Sequence, residues 1–343
     1  MKVTIDDIAR IAHVSKATIS RVLNDEKGVG EETRNRIKSI IDEIGYKPNL
    51  LARGVATAKT KTIGVIIPDI TNPFFPDLIK SIEGYYSNQG YTVLLCNTNS
   101  IPEQEMQAIS TCIAKRVDGI LLASSVEEPS EMHCLLKKYN MPCVLMDRGG
   151  QGFEADARVF VDNEYSVFMA TSHLICNGNR RIAFLSGPAN ISTSKERLVG
   201  YLSALKQYGI SPIQELICYG DYTLESGFQA TKRLLDSQQF TALVSANDSM
   251  AVGAIKSIRQ MGFRIPEDVE VIGYDNIQLG TLIEPRLSTV EQPISLMGKT
   301  ASELLYSIIN GGEIKERSVR LKAHLILRES TKNHQSIDME VLP

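Results

Sequence analysis

Polar, charged and aromatic residues recur at one kind of place in this sequence, just after a short apolar run. Asn72, Phe74 and Phe75 follow TIGVIIP, Ser124 follows DGILLA, and Asp147 with Arg148 follows PCVLM. Asn247 with Asp248 follows TALVS, Tyr274 closes VEVIGY, and Asp275 comes next. If those runs are parallel strands, each residue stands at a carboxyl end, the rim where open α/β sheets bind ligands. Arg197 in STSKERLVGY and Gln292 in TVEQP complete the set. The chemistry suits a sugar: aromatic faces stack on the C–H face of a ring, carboxylates accept from hydroxyls, and Arg donates a planar fork to adjacent oxygens. Taken singly, each residue reads equally as a helix cap or a structural polar group. The recurrence at one rim is what favours a site.

A second constellation is TIDDIARIAHVSKATISRVLN, residues 4–24. Thr4 to Asp7 spells a capping box, and Ser15 can cap a second short helix after a tight turn. Such a helix-turn-helix would turn Ile19, Val22 and Leu23 inward and Lys16, Ala17, Ser20 and Arg21 outward. Small polar and basic side chains on one exposed face suit a DNA major groove. An ordinary small helical bundle with a polar face has the same spacing.

These residues need elements to hold them. The head reads as three helices, the third opening on Glu31 and Glu32, burying Ile37, Ile40, Ile41 and Ile44, and stopping at Gly45. Residues 49–61 are small and basic, a linker. From Thr62 short apolar strands alternate with helical stretches, which argues an α/β body with parallel sheets. About 280 residues exceed one such unit, so two lobes are expected. RVFVD near 158–162 reads as the start of the second lobe, and LSTVEQP (287–293) with its following helix as the return to the first. The expected division is 1–48, 49–61, 62–330 (lobe 1 about 62–160 plus 288–330, lobe 2 about 161–287) and a tail, 331–343.

Composition narrows the class. The 343 residues are 43% apolar and carry a net charge of −3, as ordinary folded domains do. The charge is uneven: residues 1–62 carry +4 and the remainder −7, which points a polyanion toward the head alone. No run is apolar enough for a membrane span and no signal peptide opens the chain, so a cytoplasmic protein without a membrane partner is expected. The six cysteines (96, 112, 134, 143, 176 and 218) lack CxxC spacing, which fits reduced thiols rather than disulfides or zinc. No metal or cofactor is expected.

The run 4–24, the segment PNLLARGV (48–55) and the join TIGVIIPDITNPFF (62–75) resemble the LacI/GalR family of bacterial regulators. The resemblance continues to near residue 330. It implies an all-α helix-turn-helix headpiece, a hinge, and a two-lobed core of parallel sheets flanked by helices, like the periplasmic sugar-binding proteins. It also implies a homodimer on a pseudo-palindromic operator and a small effector between the lobes. Through it Lys16, Ala17 and Arg21 become groove contacts, and Thr4, Ser15, Thr18, Ser20 and Asn24 become phosphate or capping residues. The hinge, with Asn49, Ala52, Arg53 and Val55, is expected to enter the minor groove, with Val55 as an apolar wedge. The family usually has Ala-Arg-Ser-Leu there; Gly54 weakens a helix by about 1 kcal/mol. His13 stands where the family turn usually carries Gly, and His tolerates a left-handed backbone. The cleft would be lined by Asn72, Phe74, Phe75, Asp147, Arg148, Arg197, Tyr222, Asn247, Tyr274, Asp275 and Gln292. Asp147-Arg148 fits a ribose-like pentose, and two guanidinium forks also suit a sugar acid.

The expected function is a transcriptional regulator, a repressor of carbohydrate-utilisation genes released by a sugar; a corepressor mode uses the same parts with opposite sign. The alternative is a sugar-binding or sugar-modifying protein without sequence-specific DNA binding. Enzyme motifs are missing: Gly298-Lys299-Thr300 has Pro293 where a phosphate loop needs Gly, and no GxGxxG, GxSxG or HExxH occurs. Asp147 and Asp275 lack a nucleophile–base partner for catalysis. No motif marks a phosphoprotein corepressor, a partner some relatives use. The 13-residue tail after Ser330 is too short for the family's four-helix bundle, so a dimer without one is expected.

Overall fold

The computed structural model describes residues 4–23, 27–46, 59–124, 130–148 and 155–332. Asn24, Asn49, Ala52, Arg53, Val55 and the tail beyond 332 lie outside them. The chain divides into two compact units, Met1–Thr60 and Lys61–Pro343.

The first unit holds α1 (Ile5–Ile11), α2 (Lys16–Leu23) and α3 (Glu31–Ile44). Thr4 opens α1 with a reciprocal capping box: its Oγ1 accepts from Asp7 N, and Asp7 Oδ2 accepts from Thr4 N at 3.0 Å. His13 makes the turn at φ 50°, the left-handed conformation expected of it. Ser15 Oγ accepts from Thr18 N at 3.1 Å and so caps α2. Gly45, at φ 65°, ends α3, a position where a side chain would be strained. Ile8, Ala9, Ala12, Ile19, Val22 and Ile37 form the core, with Ile40 and Ile41 packed against it half-buried. Ile11, by contrast, is exposed.

The second unit runs β1 (Thr62–Ile67), α4 (Phe74–Asn88), β2 (Thr92–Asn97), α5 (Pro102–Ala114), β3 (Gly119–Leu122), α6 (Ser130–Lys138), β4 (Cys143–Met146) and β5 (Ala157–Val161). It continues with α7 (Asn163–Cys176), β6 (Ile182–Ser186), α8 (Ser192–Gln207), β7 (Ile217–Tyr219), α9 (Leu224–Ser237), β8 (Ala242–Ser245), α10 (Asp248–Gln260) and β9 (Glu270–Asp275). It ends with α11 (Leu279–Leu282), β10 (Ser288–Glu291), α12 (Ile294–Ile309), β11 (Ser318–Leu321) and β12 (His324–Ile326). One sheet has the order β11-β5-β4-β3-β1-β2, the other β12-β10-β9-β8-β6-β7. All pairings are parallel except β10–β12. The inner strands read as unbroken apolar runs because helices cover both faces; β3, β4, β6 and β8 are buried throughout.

Two boundaries differ from the sequence reading. RVFVD is not the start of the second lobe: β5 hydrogen-bonds to β4 and β11, and the chain crosses only at Asp162. LSTVEQP does not return to the first lobe: Ser288–Glu291 pairs with β9, and the return comes with α12, which packs on α4 and β3–β5. Hydrophobic runs identify buried strands without saying which neighbour accepts their hydrogen bonds. A third crossing, between β11 and β12, was also not foreseen.

Candidate ligand cleft and nucleic-acid interface

The strand ends of the two sheets bring most of the expected cleft residues together. Arg197 rises from α8 and is 4% exposed. Its Nε donates to Asn163 Oδ1 at 2.9 Å, its Nη1 donates to the Ala246 carbonyl, and its guanidinium lies 3.8 Å from the Tyr274 ring centre. Tyr274 Oη also donates to Asn163 Oδ1, at 3.0 Å. From the other lobe, Arg148 Nε stands 3.9 Å from Asp147 Oδ2, and its guanidinium lies 5.7 Å from the centre of the Phe75 ring. Phe74 meets Phe75 edge to face. Gln292 Nε2 donates to Asp275 Oδ1 at 2.7 Å.

Backbone strain gathers at the same place. Asp147 (φ 63°), Tyr222 (φ 70°) and Asp275 (φ 111°) hold positive φ without being glycine, which costs about 1–3 kcal/mol each and persists where surrounding structure enforces it. Gly187 makes room for Tyr222: a Cβ there would lie 2.3 Å from the Tyr222 ring. Tyr222 Oη shares a 2.6 Å hydrogen bond with Ser194 Oγ.

Burial sets the electrostatics. It pushes Asp275 up to about 7, against Arg197 and the Gln292 hydrogen bond, with Asp147 adding to the rise. Burial also raises Asp147, against Arg148 and Arg197. For Arg197 burial opposes the charge, yet Tyr274, Tyr222, Asp275 and Asp147 together more than hold it. Two guanidiniums therefore face carboxyl groups whose ionisation burial opposes. Two buried atoms in the cluster have no hydrogen-bond partner among the described residues, Arg148 Nε, a donor, and Gln292 Oε1, an acceptor. Native interiors rarely leave such groups unmet.

Other expected residues have different employment. Ser124 Oγ donates to buried Glu105. Asn72 Oδ1 accepts from Phe74 N at 3.2 Å, and Asn247 caps α10 through Met250 N while its Nδ2 donates to the Tyr222 carbonyl. Asp248 serves the sheet behind the cleft, accepting from Thr289 Oγ1 and Ile277 N. Burial and Asp275 push it up to about 8. Sequence reasoning missed Asn163, which joins Arg197, Tyr274 and Glu196. The signal was present: Asn163 follows β5 as Asp275 ends β9. A cavity of about 770 Å³ opens beside the second crossing, lined by Asp77, Lys80 and Ser81 of α4 and by residues 291–296. It shares only Asp275 and Gln292 with the cluster.

In the first unit Lys16, Ala17, Ser20 and Arg21 are exposed on α2, while Ile19 and Val22 are buried. Thr4 and Ser15 are spent as caps, with Thr18 Oγ1 2.9 Å from Ser15 Oγ. Lys16 Nζ reaches Asp6 Oδ1 at 2.5 Å, an exposed pair worth little and easily exchanged for a phosphate. α2 thus offers a short basic and small-residue face of groove-fitting size. Among the described residues no cluster of His, Cys, Asp or Glu could hold a metal ion, and no helix is long and apolar enough to cross a membrane.

Comparison with known proteins agrees with this division. Residues 4–49 match the bacterial regulatory proteins of the lacI family, and residues 60–329 match the periplasmic binding proteins and sugar binding domain of the LacI family. The HTH-type transcriptional repressor PurR of Vibrio vulnificus (strain CMCP6) is 38% identical over 332 residues, covering 96% of this chain and 98% of its own. A lac repressor dimer bound to operator and the anti-inducer ONPF superposes with a TM-score of 0.87 at 28% identity, over 96% of this chain and 99% of that one. A LacI family regulator from Enterococcus faecium with bound ribose superposes at 0.71 with 33% identity, over 79% of this chain and 98% of that one. With a helix-turn-helix head, two parallel-sheet lobes and matches along nearly its whole length, the chain belongs to the LacI family of bacterial transcriptional regulators.

Proposed function

We propose that this regulator is a homodimeric, cytoplasmic repressor whose affinity for a pseudo-palindromic operator is lowered by a neutral sugar bound between its lobes. The observation that carries the effector class is the pair of buried atoms with no hydrogen bond among the described residues, Arg148 Nε and Gln292 Oε1. A donor and an acceptor left unmet call for a ligand that both accepts and donates, as vicinal hydroxyls do. The ribose held by the Enterococcus faecium relative supports a pentose. The chain acts by binding rather than catalysis, in line with its repressor relatives.

In the head, Lys16, Ala17 and Arg21 read base edges, and Thr18 and Ser20 meet phosphates alongside the capping Thr4 and Ser15. Asn24, Asn49, Ala52, Arg53 and Val55 complete the DNA contact, with Val55 as the wedge. Replacing Val55 by Ala should weaken specific binding and reduce DNA bending while sugar affinity stays unchanged; an unaltered bend angle would remove Val55 from that role. The effector class is tested by melting the full chain with neutral pentoses, hexoses, sugar acids and sugar phosphates. A native-state ligand raises the melting temperature by mass action. A neutral sugar should give the largest rise; a response to phosphates alone would overturn the reading.

A further inference from the structure

Three of the six cysteines share the face of the first sheet that α5 covers. Cys112 and Cys143 are buried there, and Cys96, half-buried, packs against the same cluster. Gly64 of β1 lets Cys112 in: a Cβ at Gly64 would lie 2.6 Å from Cys112 Sγ. The β1–β2 register sets Ile66 beside Cys96, and side chains two apart share a face. Cys96 therefore points to the side of the sheet on which Cys112 sits over Gly64. Gly64 pairs with Leu94, so Cys96 is the next residue of β2 on that face, diagonally beside the Gly64 over which Cys112 stands.

We propose that Cys96 and Cys112 form a dithiol–disulfide couple that ties the end of β2 to α5. The roles of the two sulfurs differ. The neighbouring Cys112 thiol holds Cys96 down to about 7 against burial, and Cys96 together with burial pushes Cys112 up. A half-exposed thiolate at neutral pH is the attacking group; a buried thiol beside it is the resolving one. With a low-molecular-weight disulfide such as glutathione disulfide, Cys96 sulfur attacks one glutathione sulfur and the other glutathione leaves as thiolate. The departed glutathione thiolate takes the Cys112 proton, the Cys112 sulfur displaces the second glutathione from Cys96 as thiolate, which takes a proton from water, and the Cys96–Cys112 bond closes. Two protein thiols are oxidised and one glutathione disulfide is reduced to two glutathiones. Cys143, wholly buried and pushed up by burial, takes no part.

The bond would lie one residue before Asn97, whose Oδ1 accepts from Ile70 N at 2.7 Å. Thr98 N and Ser100 N bond the carbonyls of Ile67 and Pro68. Closing the couple thus clamps the segment leading to Asn72 and Phe74.

The test treats the full chain with glutathione disulfide, alkylates it under denaturing conditions and weighs it. Cys96 and Cys112 should both be lost to alkylation with no glutathione on either and a Cys96–Cys112 peptide pair in a non-reducing digest, whatever glutathione the exposed Cys134 and Cys176 take up. Cys112→Ser should trap one glutathione on Cys96. Glutathione retained on Cys96 of the wild-type chain, or Cys96 and Cys112 both still alkylatable after treatment, would overturn the proposal; neither result depends on how the variant folds.

Discussion

Arg197 ties more of the cleft together than any other side chain described: it bonds Asn163, stacks on Tyr274 and faces both Asp147 and Asp275. Replacing it by Ala should abolish the sugar response. Hydrogen bonds to charged groups are worth about 1.5–3 kcal/mol each, so sugar affinity should fall at least tenfold in calorimetry while operator binding persists. Loss of the folded core instead would assign Arg197 to structure alone. Asp275 gives a pH prediction. Its folded value is raised to about 7, so the native state keeps a proton that the unfolded chain has already lost. Stability from this group is full below the unfolded carboxylate range and is lost as pH rises through about 7. Asp275→Asn should therefore raise the melting temperature more at pH 8 than at pH 5; an equal gain at both would contradict the assignment. These residues were legible because strand ends in a parallel sheet are fixed by the apolar runs. Ser124 obeyed the same rule yet serves Glu105. Asn163 also obeyed it, but was hidden by reading its strand as the opening of a new lobe.

At the scale of elements, α2 depends on two local devices, the Ser15 cap and the left-handed turn at His13. Ser15→Ala should cost about 0.5–2 kcal/mol, seen as faster amide exchange in α2 without change in the core. Arg21→Ala should cost about 1–3 kcal/mol of discrimination between operator and mismatched DNA while sugar binding is untouched; equal losses on both DNAs would make Arg21 a phosphate contact. The head was readable because capping and the 3.6-residue period are local. Strand partnership is not local, which is why RVFVD reads as the start of a lobe and β10 as part of the first lobe. Ile11 shows the same limit: it stands three residues after buried Ile8 on α1, yet it is exposed.

At the scale of the whole molecule, a basic head and an acidic body divide the labour. Log operator affinity should fall linearly and steeply with log salt; a flat plot would argue against phosphate contact. The chain passes between the lobes at Asp162, at 292–293 and between β11 and β12, and Asp275 and Gln292 border the second crossing. A sugar that favours one lobe arrangement shifts the head only through its differential affinity for the two states. The coupling is reciprocal and typically worth about 1–3 kcal/mol. The central claim is tested most directly by the operator dissociation constant of the full chain, at fixed salt, with and without a saturating sugar that raises its melting temperature. Operator binding should weaken by roughly 5- to 150-fold, with sugar binding weakened by the same factor on DNA. A sugar that stabilises the protein and leaves operator affinity unchanged would contradict the account.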